Sequence, residues 1–202
     1  MIKDNKFLSF FRIANYCFWL FLLIVAIYDL FFVPYRSIIW FIALFALISV
    51  YFFFRKIPLH AHLFLSLIVL LNIFGEVLEF FYLYQYYDKI LHFFNPMMIT
   101  LFFYYVLKPF VKDEKSRLFR SSLLAVCFSL FWEVVEFVFD QLFGSYFMGV
   151  FLKADPSSHF FGISNVLDVM TPFQDTLWDA GLAILGVFVF FWFFRMYLNR
   201  KQ

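Results

Sequence analysis

Apolar residues run in long unbroken blocks along this chain, separated by short clusters of charged residues, proline and glycine. Each block is long enough to cross a hydrocarbon core, which takes about 20 helical residues. The blocks predict six helices, near Ala14–Phe32, Ile38–Phe54, His62–Phe81, Lys89–Leu107, Leu118–Val138 and Thr176–Phe194. Their continuity argues against barrel strands, in which lipid-facing and lumen-facing residues alternate. The first block starts near Phe7, after Lys3 and Lys6, and no small-residue cleavage site follows it. It is therefore expected to stay in place as the first span.

Composition agrees with the pattern. The 202 residues are 65% hydrophobic and 15% charged, with a mean hydropathy of +0.86, more apolar surface than a soluble core of this size can hide. The predicted fold class is an all-α, polytopic membrane helical bundle, a single membrane domain over residues 1–202 with no defensible repeat. The long connection from about 143 to 172 mixes Gly144, Pro156 and Gly162 with Phe147, Phe151, Phe160 and Phe161. It reads as a lid or re-entrant element over the outer mouth. The 37 phenylalanines are spread over every span and suit lipid-facing and packing roles, while Tyr82, Tyr84, Tyr86 and Tyr87 suit an outer interfacial belt. Cys17 and Cys127 are expected as inert buried thiols without a disulfide.

Charge adds orientation. With the N-terminus inside, 13 of the 16 basic residues fall on the cytoplasmic side, leaving Arg36, Lys89 and Lys153 outside. This bias satisfies the positive-inside rule, supports an even number of spans and puts both termini in the cytoplasm. No basic run extends beyond the cytoplasmic loops, so nucleic acid is not expected as a partner. The acids sort oppositely: 11 of 14 lie in the outer half or outer loops, among them Asp29, Glu76, Glu79, Asp88, Glu133, Glu136, Asp140, Asp175 and Asp179. Acids contribute little to topology, and a carboxylate inside an apolar helix is costly, so these residues point to a functional site.

Helical spacing gathers them. Asp88 and His92 are i, i+4 at the start of the fourth span, able to share a proton or a metal ion with the carboxylate orienting the imidazole; Pro96 removes a backbone donor one turn on. Glu133, Glu136 and Asp140 form one stripe of the fifth span, with Glu133 deepest. Asp175 and Asp179 are i, i+4 at the start of the sixth, where Asp175 could equally serve the helix N-terminus as a cap. Gly181 and Gly186 would permit close helix approach. Glu76 and Glu79 could complete the cluster or meet the interface, His60 and His62 suit the cytoplasmic interface, and His159 in the outer loop could reach the site.

Asp88-Lys89-x-x-His92-Phe93, Trp132-Glu133-x-x-x-Phe137 and Asp175-Thr176-x-Trp178-Asp179 with Gly186 form a combination more specific than any one piece. Over roughly residues 60–190 it resembles the YjdF-like inner-membrane proteins and, more distantly, the VanZ-like family. The resemblance implies a prokaryotic cytoplasmic-membrane protein with a cell-envelope theme. It nominates Asp88, His92, Glu133, Asp175 and Asp179 as catalytic positions. Glu136 stands where VanZ-like chains typically carry Gln, and Asp179 where they carry Asn.

Five carboxylates cannot share a low-dielectric site uncompensated, and Lys89 can offset one charge but not five. Protons, a divalent cation or a cationic substrate group must supply the rest. Oxygen-rich ligation with one imidazole suits Mg²⁺, Mn²⁺ or Ca²⁺, and Zn²⁺ less well, with Glu133, Glu136, Asp175 and Asp179 as metal ligands. Glu79, Asp140, Trp132 and Trp178 are candidate substrate contacts. The leading expectation is an outer-leaflet enzyme, a metal-dependent lipid head-group hydrolase or transferase with His92 as acid or base. A proton- or cation-coupled transporter and a non-catalytic lipid- or partner-binding subunit are the alternatives.

Overall fold

The computed structural model describes residues 2–54, 57–78, 80–84, 86–143, 152–154, 166–168 and 170–200. Six long helices carry the fold: α1 (Ile2–Phe32), α2 (Pro34–Phe53), α3 (Leu59–Val77), α5 (Tyr87–Val106), α6 (Glu114–Phe143) and α7 (Pro172–Arg200). A one-turn helix, α4 (Phe80–Leu83), precedes α5. Among the described residues, five of the long helices contain a stretch long and apolar enough to cross a membrane. The other is α5, whose 20 residues span about 30 Å but whose first two turns carry Asp88, Lys89 and His92. The chain is a polytopic membrane helical bundle. Its helices gather into two compact units, Met1–Leu70 and Leu71–Gln202.

In the first unit, α1 and α2 form a hairpin. Val33 alone separates them, and Pro34 opens α2 at a position that needs no donor. Ser37 donates its hydroxyl to the Ala26 carbonyl at 2.7 Å, closing the hairpin. Asp29 is fully buried and accepts Arg36 Nε at 2.6 Å, Arg36 Nη2 at 2.9 Å and Trp40 Nε1 at 2.8 Å. Asn15 of α1 accepts from Ser66 of α3 at 3.2 Å, an interhelical polar contact of the kind membrane helices use as glue. His62 is buried within the unit, where its ring meets Tyr51 edge-on at 5.3 Å.

The second unit is built inside out. The inward stripe of α6 is small or polar, running through Ser121, Ala125, Ser129, Glu133 and Glu136, whereas Phe119, Leu123, Phe128, Phe131 and Val134 face outward. Lipid is as apolar as leucine, so small residues that let backbones approach are favoured at the interface and large apolar ones outside. Along α5 the same logic places Asp88, His92, Pro96, Thr100 and Tyr104 on one i, i+4 stripe. At the far end of the unit Tyr104, Leu118 and Leu198 form an aromatic-lined core with Phe190, Phe191 and Phe194. Arg117 lies 4.3 Å over the Tyr104 ring and donates to its hydroxyl at 2.7 Å.

Local signals set the helix ends. The third span stops at Val77 instead of running to Phe81, and the chain turns so that the Phe81 ring lies over Gly75, where a Cβ would come within 2.1 Å of it. Asp113 caps α6, its carboxylate accepting the Ser116 N–H at 2.7 Å. Thr171 and Gln174 cap α7 reciprocally: the Gln174 N–H donates to Thr171 Oγ1 at 3.3 Å and the Thr171 N–H to Gln174 Oε1 at 3.0 Å. Asp175 is thereby released from the capping role its position suggested.

Between α6 and α7, Leu152–Ala154 (β1) pairs antiparallel with Val166–Asp168 (β2), Lys153 opposite Leu167. Residues 144–151, 155–165 and 169 of the expected lid, His159 included, lie outside the described residues. Of the expected belt, Tyr84 and Tyr86 are exposed, Tyr87 is half-buried and donates its hydroxyl to the Leu71 carbonyl at 2.7 Å, and the Tyr82 side chain lies outside the described residues. Cys17 and Cys127 are free thiols, but they sit on outward faces and not in the core.

Candidate functional site

The site lies where the first turns of α5 and α7 meet the second half of α6, at the helix ends that the basic-residue bias assigns to the outer side. Asp88 and Lys89 open α5, and His92 follows one turn later. The i, i+4 spacing acts as expected: Asp88 Oδ1 lies 3.3 Å from His92 Nε2. The other ring nitrogen, Nδ1, lies 3.0 Å from Glu133 Oε1 of α6. His92 is thus held between carboxylates of two helices. Pro96 leaves the His92 carbonyl without its helical donor, so the backbone at this turn is polar as well.

From α7, Asp175 and Asp179 converge on the Lys89 ammonium. Lys89 Nζ is 2.6 Å from both oxygens of Asp179, bonds to Asp175 Oδ1, and lies 3.3 Å from Asp88 Oδ2. One cation therefore ties α7 to the start of α5. Glu136, one turn beyond Glu133, accepts the Trp132 indole N–H at 2.6 Å. All five carboxylates and Lys89 are buried, Asp175 and Asp179 almost completely, at 0% and 1% exposure.

Close backbone approach makes this convergence possible. A Cβ on Gly186 would fall 2.1 Å from the carbonyl oxygen of Phe93, the residue after His92, so only glycine lets α7 lie this near α5. Gly181 does not share the role expected of it. Nothing lies within 4 Å of where its Cβ would be, because it faces outward between the exposed Leu177, Trp178 and Leu185.

The structure brings Asp88, His92, Glu133, Glu136, Asp175 and Asp179 together. Lys89, expected only to offset one charge, proves to be the cation between Asp88, Asp175 and Asp179, a role that spacing hides because adjacent residues on a helix do not face each other and only the long lysine stem turns the ammonium back. The available signal was that Lys89 is one of few bases on the acidic side. Trp132 is 43% exposed and reaches the site through its indole N–H, whereas Trp178 is 61% exposed on the outward face of α7. Glu76 is half-buried near the end of α3. Glu79 and the Asp140 side chain lie outside the described residues.

Two overlapping donor sets could hold a cation. Donor atoms of Asp88, His92 and Asp179 lie within 4.8 Å of one another, as do those of His92, Glu133 and Glu136. The first is already occupied by the Lys89 ammonium. The second has only His92 for its positive charge. With both bases protonated, five ionised carboxylates would still exceed them by three charges, and burial makes that excess costly unless protons or a bound cation remove it.

Comparison with known proteins agrees with this architecture. A protein of Thermotoga maritima described as uncharacterized is 33% identical over 96 residues, covering 46% of this chain and 50% of its own length. The chain thus spans about half the length of the curated relative it matches. No solved structure matches. Residues 8–200 match the family described as "Predicted membrane protein (DUF2238)". That match embraces both compact units and every residue of the acidic site, and the chain belongs to this family of multi-pass membrane proteins.

Proposed function

We propose that the outer-end cluster binds a divalent cation through His92, Glu133 and Glu136 and uses it to engage the phosphate of a lipid or lipid-linked head group in the outer leaflet. The observation that carries the reading is the division of labour around His92. Asp88 holds Nε2 while Nδ1 faces Glu133, the arrangement in which an outer carboxylate orients a metal-ligating imidazole. Two carboxylates and one imidazole leave coordination positions for substrate oxygens and suit Mg²⁺, Mn²⁺ or Ca²⁺. When bound, such an ion supplies charge stabilisation at a phosphoryl oxygen. Lys89, held by Asp175 and Asp179, locks α7 against α5 and keeps its positive charge beside the phosphate. The exposed Trp132, bonded to Glu136, and Trp178 on the outward face of α7 would contact the lipid. The reading places the protein in a prokaryotic cytoplasmic membrane with an envelope role, as the VanZ-like resemblance implies.

The test is elemental analysis of purified protein, wild type against Glu133→Gln/Glu136→Gln, paired with lipid mass spectrometry of proteoliposomes. One equivalent of divalent metal in the wild type, lost in the variant, together with altered head groups, is expected. Metal-free protein in both forms overturns the reading. A second reading, a proton-coupled carrier, draws on the two fully buried aspartates sharing one lysine. Gradient-dependent flux in liposomes without lipid turnover would favour it.

A further inference from the structure

At the opposite end of the second unit, far along α6 and α7 from the acidic site, a cleft of about 470 Å³ opens between the start of α6 and the last turns of α7. Lys115, Arg120 and Arg195 line it together with Leu118, Phe119 and Phe191. We propose that this cleft binds an anionic phospholipid of the inner leaflet, its phosphate among Lys115, Arg120 and Arg195 and its glycerol and upper acyl chains on Phe119 and Phe191.

Charge accounting separates this cleft from an ordinary basic loop. The acids of the neighbourhood are engaged elsewhere: Asp113 caps the helix through Ser116, and Glu114 lies 3.3 Å from Arg117. Arg117 itself is buried over Tyr104, pointing into the core. Among the described residues Arg120 and Arg195 have no carboxylate partner, and Arg195 is steadied only by the Phe191 ring, 5.8 Å from its guanidinium carbon. Two helices thus present unneutralised guanidinium groups to one cavity. Arginine suits a phosphate diester because its planar fork donates in pairs.

The lining also favours a lipid over a free anion. Phe119 is 60% exposed on a membrane-spanning helix, one residue from Arg120, so the cavity is basic on one side and opens onto hydrocarbon on the other. An inner-leaflet phospholipid has this division of charged head and apolar body. The basic residues of this side also satisfy the topology rule, but that rule asks only for their number, not for their convergence on a cleft.

Thermal unfolding of the full-length protein in detergent micelles tests the assignment, with phosphatidylglycerol titrated against phosphatidylcholine. Phosphatidylglycerol is expected to stabilise the wild type selectively. Removing two near-surface cations in Arg120→Gln/Arg195→Gln should weaken the midpoint of that titration by about tenfold or more. Lys108→Gln/Lys112→Gln, which removes two exposed charges on the same side but outside the cleft, should retain it. Equal loss in both double variants would reduce the effect to general surface charge and overturn the site. Equal stabilisation by both lipids would overturn it too. Reproduction of the shift by inorganic phosphate alone would overturn the lipid assignment.

Discussion

Two polar clusters lie inside apolar helices of this protein, and their charge balances differ. In the α1–α2 hairpin one carboxylate, Asp29, meets one guanidinium, Arg36, with the Trp40 indole taking a further lone pair. These contacts fall within a dozen residues of sequence. At the start of α5 and α7, five carboxylates from three helices share one lysine and one histidine. In the first the buried acid has a base and an indole donor, which explains Asp29 as structure. The second holds more acid than base, so protons or a cation must supply the balance, and on the proposed reading it is the functional one.

Lys89→Met probes the comparison most forcefully. It leaves Asp175 and Asp179 buried without their cation, and breaking a buried pair from one side destabilises by about 3–5 kcal/mol. Unfolding in detergent should show the loss, and Asp179→Asn in the same chain should restore part of it; no restoration would mean that Lys89 acts by packing alone. Asp29→Asn should likewise destabilise, by about 3 kcal/mol, because it removes the buried charge that accepts from Arg36 Nε and Nη2 and from the Trp40 indole. Divalent-metal content should be unchanged, and its loss would erase the distinction between the clusters.

Gly186→Ala comes next. Its Cβ would collide with the Phe93 carbonyl, and overpacking of this kind costs about 1–3 kcal/mol, with metal retention reduced as α7 shifts from His92. Gly181→Ala meets open space and should be neutral or stabilising by up to about 1 kcal/mol, from helix propensity. Equal behaviour of the two glycines would refute the close approach.

Glu136→Gln should separate the clusters by sign. Neutralising one of several like charges should stabilise the metal-free protein while abolishing the stabilisation that Mg²⁺, Mn²⁺ or Ca²⁺ gives the wild type, read as unfolding temperature with and without ion. In the balanced hairpin no such opposite response exists. The smallest effect is expected outside the membrane at Asp113, whose carboxyl the Ser116 hydroxyl and N–H hold below its usual range. A lowered folded-state pKa means that the cap stabilises α6 above the ordinary carboxylate pKa and loses that effect as pH falls through the lowered value. Faster amide exchange at Ser116 in acid, and in Asp113→Ala at neutral pH, would register it.

Much of the site was readable from spacing. The pairs Asp88–His92 and Asp175–Asp179 and the Glu133–Glu136 stripe each lie within one helix, where the residue period fixes the shared face. Lys89 was not readable as the hub, because its backbone points away from Asp88 and the residues that draw its ammonium inward belong to α7. Asp29 joined the outer acids by depth, yet its partner, Arg36, was set by the tight turn at Val33. Gly181 and Gly186 looked equivalent in sequence, and only the rotation of α7 about its axis made one a contact and the other an outward gap.

Sequence alone therefore determined the approximate spans and the surplus of acid at one end of them, and set the expected sidedness. Hydrophobic length and lysine–arginine bias are properties of each segment and do not depend on its neighbours. The tertiary structure decided which acids share a cation and which remain in excess. That outcome depends on helix rotation, on the missing side chain at Gly186 and on how far a lysine stem can reach, none of which is a property of a single segment.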